Sequence, residues 1–111
     1  MRQLKVIATA AYERRVRKLL PPMDRTEMEE AIAANPEAHP LIPGTKGVRK
    51  ARWSRPGLGK GGGVRLIYYF WMESSAVVMI TIYAKNEKEN LSDADKKEAR
   101  KVVEGLLQRG A

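Results

Sequence analysis

Residues 64–85 read VRLIYYFWMESSAVVMITIYAK, and this stretch decides the fold. Two runs, 64–71 and 77–85, are rich in β-branched and aromatic side chains, which favour extended backbone. Glu73, Ser74 and Ser75 separate the runs by the length of a hairpin turn. The pattern predicts two antiparallel strands of a β-meander.

Two shorter segments extend this sheet. Residues 48–53 alternate, so that Ala51 and Trp53 are expected to face a core while Lys50 and Arg52 share the opposite face. Residues 4–8 (LKVIA) form another apolar strand candidate near the N-terminus. We therefore expect a small antiparallel sheet with one cationic strand face.

Three helices are predicted around the sheet. The first follows Thr9 as its cap, and the second opens with the capping-box spacing of Asp24 and Glu27. The third opens at Ser92 with an acidic first turn and carries an apolar stripe. The expected order is β-α-α-β-β-β-α, an α+β fold with a helical hairpin and a C-terminal helix packed over one sheet face. Residues 1–111 are expected to form a single domain.

Charge is distributed unevenly along the 111 residues, whose net charge is +8. Residues 41–72 carry seven Lys or Arg and no acid, while 73–111 carry seven of each sign. A concentrated basic surface attracts polyanions, so nucleic acid or an acidic protein is the expected partner. The chain has no cysteine, which excludes thiol chemistry and fits the cytoplasm, and no signal peptide or membrane span is visible.

The glycine-rich segment 57–62 (GLGKGG) matches the spacing G-x-G-x-x-G. A dinucleotide-binding loop needs a helix after it, whereas a strand is predicted here, so the match is spurious. A kinase needs a far longer chain with further motifs, and a Walker A loop needs other residues around Lys60. Two interpretations remain: a flexible strand connection, or a loop that closes over a phosphate backbone.

The candidate site is a set of cations that the strands bring together. Lys50 and Arg52 share one strand, Arg65 opens the next, and Lys85 ends the last. A 2′-hydroxyl of RNA is a nucleophile already present in the substrate, so cations that orient the phosphate and stabilise its charge can promote cleavage without histidine. We expect Arg65 to bind the phosphate with help from Arg52, and Lys60 or Lys85 to exchange a proton.

Metal and histidine chemistry are not expected. His39 is the sole histidine and lies in a proline-flanked loop, where an incidental surface position is the expectation. The acids cluster in helices, where capping and solvated helix faces account for them. Three aromatic residues are interpreted first as core residues and second as rings that could stack on RNA bases: Tyr68, Tyr69 and Tyr83.

Two segments together resemble a known family: LIPGTKGVRKARWSRPGLGKGGGVRLIYYF (41–70) and ITIYAKNEKENLS (80–92). They are similar to the RelE/HigB toxins of bacterial type II toxin-antitoxin modules, within the RelE/ParE superfamily. The resemblance implies a metal-independent endoribonuclease, an mRNA interferase, that enters the ribosome and cuts messenger RNA in the decoding site. It also implies a cognate antitoxin, a ribosomal RNA contact, a cytoplasmic location, and no membrane partner or small-molecule cofactor.

The resemblance also assigns residues. Carried over to this sequence, it implies roles for the strand cations Lys50 and Arg52, the phosphate-binding Arg65, Lys85 beside Asn86, and the loop lysine Lys60. From this resemblance together with the pattern of cations, we expect a catalytic set of Arg65, Lys85, Lys60 and Arg52, and RNA contacts from Lys50, Arg49, Arg55, Asn86 and Tyr83. Leu91 and Ser92 stand where some RelE toxins have a tyrosine, and the histidines of other HigB toxins are absent. The general base is therefore unassigned, with Tyr83 as a weak substitute.

Two other functions remain open. A ParE-like member of the superfamily inhibits DNA gyrase by binding it and has no nuclease activity. A basic module that binds RNA without cutting it is the third alternative. The clustered cations favour the nuclease, because gyrase inhibition does not require them.

Overall fold

The computed structural model describes residues 4–55 and 62–109, which form four strands and three helices. The elements are β1 (Lys5–Ala8), α1 (Ala10–Leu19), α2 (Pro22–Ala34), β2 (Val48–Trp53), β3 (Val64–Trp71), β4 (Ala76–Ala84) and α3 (Asp93–Arg109). The α+β class and the order β-α-α-β-β-β-α are confirmed. In the described ranges, no helix is both long and apolar enough to cross a bilayer.

The strands form one sheet in the order β1-β4-β3-β2. β2, β3 and β4 are antiparallel neighbours, as expected, while β1 lies parallel to β4. The sheet is therefore mixed rather than wholly antiparallel. The apolar pattern of residues 4–8 predicts a strand but does not specify which partner it pairs with, because the partner is more than 70 residues away.

A short 3₁₀ turn, Met72–Ser74, joins β3 to β4, and Ser75 follows in the left-handed region with φ 51°. A register shift lies between Ile67 and Tyr68, where the pairing of β3 with β4 skips one residue. Such a bulge bends a strand and redirects the side chains beside it. The skipped residue, Ile80, accepts a hydrogen bond at its carbonyl from the Thr9 hydroxyl at 2.7 Å.

The two faces of the sheet support two separate apolar clusters. α1 and α2 cover one face, where Tyr12, Met28 and Ile32 pack against Leu66 and Met79. α3 covers part of the other face through a second cluster. Its buried members are Val48, Ile67, Val78, Ile80, Tyr83, Ala99 and Val103. The prediction that all helices pack over one face is wrong, because an amphipathic stripe fixes which helix side is buried and not which sheet face receives it.

The helix starts follow local chemistry. Tyr12 donates its amide to the Thr9 hydroxyl at 3.1 Å, which confirms Thr9 as the cap of α1. α2 begins at Pro22, before the predicted Asp24–Glu27 box, and no side chain caps it. Proline suits the first helical position because it lacks the amide that would be unpaired there. Asp24 consequently lies inside the first turn.

Candidate functional site

A cross-strand row of polar residues lies on the sheet face that α3 covers. Arg52 in β2 pairs with Arg65 in β3, and Arg65 pairs with Tyr83 in β4. Lys50 lies two residues before Arg52 and therefore on the same face. We call Lys50, Arg52, Arg65 and the adjacent Lys85 the basic end of the sheet. The predicted convergence of cations thus has a structural basis in strand register.

Arg65 is buried, with 5% of its surface exposed. Its Nη1 donates to the Val64 carbonyl at 3.3 Å, and its Nη2 lies 3.6 Å from Glu89 Oε1. Its Nε has no hydrogen-bond partner within the described residues. A guanidinium has five N–H donors, and leaving a buried donor unpaired costs free energy. The Nε–Nη2 edge is thus a donor pair that the described residues leave without hydrogen bonds.

The segment between β4 and α3 crosses the basic end and is fixed at several points. Lys50 Nζ donates to Asn90 Oδ1 at 3.1 Å. Ser92 and Asp95 form a reciprocal cap at the start of α3, with amide-to-side-chain distances of 3.1 and 3.2 Å. Lys88 donates to Asp95 at 2.9 Å, and this hydrogen bond is the main cause that lowers the pKa of the Asp95 carboxyl. Glu89 lies between these anchored residues.

Two small clefts open beside the basic end. One of about 320 Å³ is lined by Lys50, Arg52, Asn90, Lys96 and the 40–43 segment. Another of about 330 Å³ is lined by His39, Pro40, Lys50 and Arg52. Lys50 and Arg52 line both clefts, so their charges face concave surface.

Tyr83 is 1% exposed and belongs to the apolar cluster under α3. Its ring therefore lies in the core, which agrees with the first interpretation of this residue, and its RNA contact stays a prediction. Burial raises the pKa of its phenol, the Glu89 and Asp95 carboxylates add to this effect, and Arg65 opposes it. A phenol with a raised pKa stays protonated near neutral pH, so Tyr83 is a poor general base.

The other predicted residues are dispersed around the basic end. Arg49 pairs with Tyr68 on the α1/α2 side, where its Nη1 donates to the Glu37 and His39 carbonyls at 3.2 and 2.7 Å. Arg49 thus fixes a loop and does not join the basic end. Arg55 donates through Nε to the Gly62 carbonyl, which holds the two ends of the glycine-rich connection together.

Lys85 follows β4, and its amide donates to the Gly63 carbonyl at 2.9 Å, which places its backbone beside the residue that precedes β3. Asn86 is exposed in the next turn. Lys60 and the segment 56–61, including most of the predicted GLGKGG loop, lie outside the described residues. The chemical roles predicted for all of these residues stay predictions.

Three residues near the basic end were not predicted: Glu89, Asn90 and His39. Nothing in the local sequence distinguishes Glu89 or Asn90 from ordinary polar residues before a helix. His39 was expected to be incidental, yet it lines a cleft with Lys50 and Arg52. In residues 4–55 and 62–109, no cluster of three His, Cys, Asp or Glu side chains is arranged to hold a metal ion.

Comparison with known proteins identifies the family. A solved structure of a mutant of the E. coli toxin RelE in the free state is similar to this chain with a TM-score of 0.62. The likeness covers 92% of this chain and 99% of that chain at 19% sequence identity, so it bears on the fold. Residues 4–110 match the model of the family described as RelE toxin of the RelE/RelB toxin-antitoxin system. The chain therefore belongs to the RelE toxin family, and it is a toxin of a toxin-antitoxin system.

Proposed function

We propose that this toxin is a ribosome-dependent endoribonuclease that cuts messenger RNA at the basic end of its sheet. The family membership implies an antitoxin as one partner. The ribosome and its messenger RNA are the further partners in this proposal, and the cytoplasm is where they would meet. The single domain predicted over residues 1–111 would carry the whole toxin site, without a metal or a small-molecule cofactor.

The observation that carries the proposal is the state of Arg65. Its Nε–Nη2 edge has two donors without hydrogen bonds to described residues, and this edge matches two oxygens of a phosphate. Since only 5% of Arg65 is exposed, a phosphate gains full contact only when the groups that cover the guanidinium move aside. Burial of an arginine that lacks full hydrogen bonding is costly, and phosphate binding would supply the missing acceptors.

The reaction that fits these groups is attack of a 2′-hydroxyl on the adjacent phosphorus. The 2′-oxygen forms a bond to phosphorus, the P–O5′ bond breaks, and the products are a 2′,3′-cyclic phosphate and a 5′-hydroxyl. The 2′-oxygen loses one proton and the 5′-oxygen gains one, so the step is balanced. Arg65 and Arg52 would stabilise the negative charge that develops on the phosphate oxygens.

The remaining cations would position the RNA and return the proton. Lys50 and Arg52 line the two clefts beside the site and would hold the backbone on either side of the scissile phosphate. Lys85, adjacent to β4, is the candidate donor for the leaving 5′-oxygen, with Lys60 as the alternative. The ribosome would hold the message in the in-line geometry that this chemistry needs.

A gyrase-binding toxin without nuclease activity is the alternative within the superfamily. Such a protein needs an interaction surface but has no use for a buried guanidinium whose Nε has no hydrogen-bond partner among the described residues. The polar row Arg52, Arg65 and Tyr83 therefore favours the nuclease. A basic protein that binds RNA without cutting it is disfavoured for the same reason, because exposed lysines and arginines suffice for binding.

The test is primer extension on a defined message in translating ribosomes, with and without the purified toxin. We expect position-specific cuts that appear only when ribosomes translate the message. Arg65→Ala should remove the cuts and the growth arrest, while Arg109→Ala, an exposed arginine at the end of α3, should keep both.

Two results would overturn the proposal. Intact message together with trapped gyrase–DNA breaks would assign the toxin to the gyrase inhibitors. Unchanged cutting by Arg65→Ala, with a normal circular dichroism spectrum, would remove Arg65 from the mechanism and with it the basis of the proposed site.

A further inference from the structure

The proposed reaction requires a group that accepts the proton of the 2′-hydroxyl, and no residue named so far takes this role. Tyr83 is a poor acceptor because its buried phenol has a raised pKa. Leu91 and Ser92 occupy the start of α3, and Ser92 is committed to the cap through Asp95. The acceptor must therefore come from another residue near Arg65.

Besides Glu89, the segment between β4 and α3 and the first turn of α3 hold three acids. Asp93 lies in that acidic first turn, and the other two have structural tasks. Glu87 accepts the Ala84 amide at 3.1 Å and lies 3.9 Å from Arg15. Asp95 accepts hydrogen bonds from Lys88 and from the Ser92 amide. Glu89 differs from both, since the described residues show it in a single ion pair, with Arg65 at 3.6 Å.

We infer that Glu89 is the general base of the cleavage reaction, an inference that rests on the proposed function. The Glu89 side chain is 54% exposed, so RNA can reach it, whereas the side chain of Arg65 beneath it is only 7% exposed. The 3.6 Å between Glu89 Oε1 and Arg65 Nη2 is longer than a hydrogen bond, so the Arg65 donors remain available to a phosphate. A phosphate bound at the Nε–Nη2 edge would displace the carboxylate to the side of the phosphate, where the 2′-hydroxyl of the preceding nucleotide lies.

The neighbours of Glu89 restrict where its carboxylate can go. Asn90 is tied to Lys50 on β2, and Lys88 is tied to Asp95 on α3. The backbone on both sides of Glu89 is therefore held over the basic end, and only the side chain must move. An acceptor held this way satisfies the geometric condition for a general base, which must come within hydrogen-bond reach of the proton it removes.

The proton balance of the step is complete. The 2′-hydroxyl proton moves to a Glu89 carboxylate oxygen as the 2′-oxygen bonds to phosphorus and the P–O5′ bond breaks. Lys85, the candidate acid of the proposed function, protonates the leaving 5′-oxygen. Exchange with water returns Glu89 and the lysine to their starting states after the products leave.

The experiment is single-turnover cleavage of a message on stalled ribosomes at several pH values. The proteins are wild type, Glu89→Gln, Glu89→Asp and His39→Asn, with Glu98→Gln as the matched control. Glu98 is a suitable control because it is an exposed glutamate in an ion pair, 3.7 Å from Lys101 on α3. Ribosome affinity and thermal unfolding are measured for each protein.

Glu89→Gln should slow cleavage by about 10²- to 10⁴-fold without weakening ribosome binding or lowering the unfolding temperature. The Gln variant should also have a different pH–rate profile from the wild type, because a different group then accepts the proton. Glu89→Asp should restore part of the rate and the wild-type profile. Glu98→Gln should behave as wild type. His39→Asn, which alters a cleft beside the site, should keep the wild-type pH profile whatever its effect on the rate.

Three results would overturn the inference. One is an unchanged or faster rate for Glu89→Gln, which would make Glu89 only a counter-ion of Arg65. Another is a Gln variant that keeps the wild-type pH profile. The third is loss of the pH dependence in His39→Asn instead. If wild type cuts and Arg65→Ala does not, the proposed function stands whatever the result for Glu89, so the two failures are distinguishable.

Discussion

Tyr12 and Tyr83 are buried on opposite faces of the sheet, and their hydroxyl groups differ in hydrogen bonding. Tyr12, under the α1/α2 face, is fully buried and donates to Glu29 Oε2 at 2.7 Å. Glu29 in turn accepts from Arg25 Nε at 2.9 Å, and Arg25 also pairs with Glu13. Tyr83, under α3, is equally buried, but its hydroxyl has no partner in the described residues.

The difference separates a stabilising face from a functional one. On the α1/α2 face, Arg25 beside the core is paired with both Glu13 and Glu29. On the α3 face, the apolar cluster ends at a row in which Arg65 Nε and the Tyr83 hydroxyl have no hydrogen-bond partner among the described residues. Unpaired buried polar groups cost stability, so their retention together at one place is typical of a functional site.

The largest expected effect concerns Arg65→Met, which removes the charge but keeps much of the side-chain length. Cleavage on ribosomes should fall by about 10³-fold, because a preorganised cation at the phosphate is lost. The free energy of unfolding should stay the same or rise by up to about 2 kcal/mol, because an incompletely paired buried charge is replaced by apolar atoms. Cleavage assays and urea unfolding measure the two quantities.

A large decrease in the free energy of unfolding of Arg65→Met would contradict the contrast between the two faces, since Arg65 would then be a structural residue like Arg25. Arg65→Lys separates charge from geometry. Lysine lacks the planar pair of donors, so cleavage should remain low in this variant.

A smaller effect is expected for the two tyrosines. Tyr12→Phe should lower the free energy of unfolding by about 2 kcal/mol, because it removes a hydrogen bond to the carboxylate of Glu29, which is mostly buried. Tyr83→Phe should change it by less than about 0.5 kcal/mol or raise it slightly, because no hydrogen bond is lost. Parallel denaturant unfolding curves of the two variants provide the comparison.

Equal destabilisation by the two substitutions would contradict the assignment of Tyr83 as unpaired. Tyr83→Phe should also cut messenger RNA at the wild-type rate. A strong loss of cutting in this variant would return Tyr83 to the site as a catalytic group.

Much of the fold was predictable because its signals are local. The residue composition on either side of a short turn predicted β3 and β4, and the capping residues Thr9 and Ser92 predicted two helix starts. Alternation in β2 correctly separated Ala51 from the face of Lys50 and Arg52. The parallel pairing of β1 and the position of α3 on the second face were missed, because both depend on long-range packing.

The site was predictable in part. Strand register brought Arg52 and Arg65 together as expected, since alternation fixes which residues share a face. The depth of Arg65 was not expected, because nothing in its local sequence marks it as buried. Glu89 was missed because its pairing with Arg65 spans 24 residues, and a charged residue in such a turn is ordinarily solvated.

The proposed mechanism depends on one chemical step, in which the RNA supplies its own nucleophile at the basic end. A message with a single 2′-deoxynucleotide immediately before the scissile phosphate tests this claim most directly. In single-turnover cleavage on stalled ribosomes, the account predicts that this message binds as the normal one does and stays intact, while the all-ribose message yields a 5′-hydroxyl product. Cutting of the deoxy-substituted message at the normal rate would contradict the account.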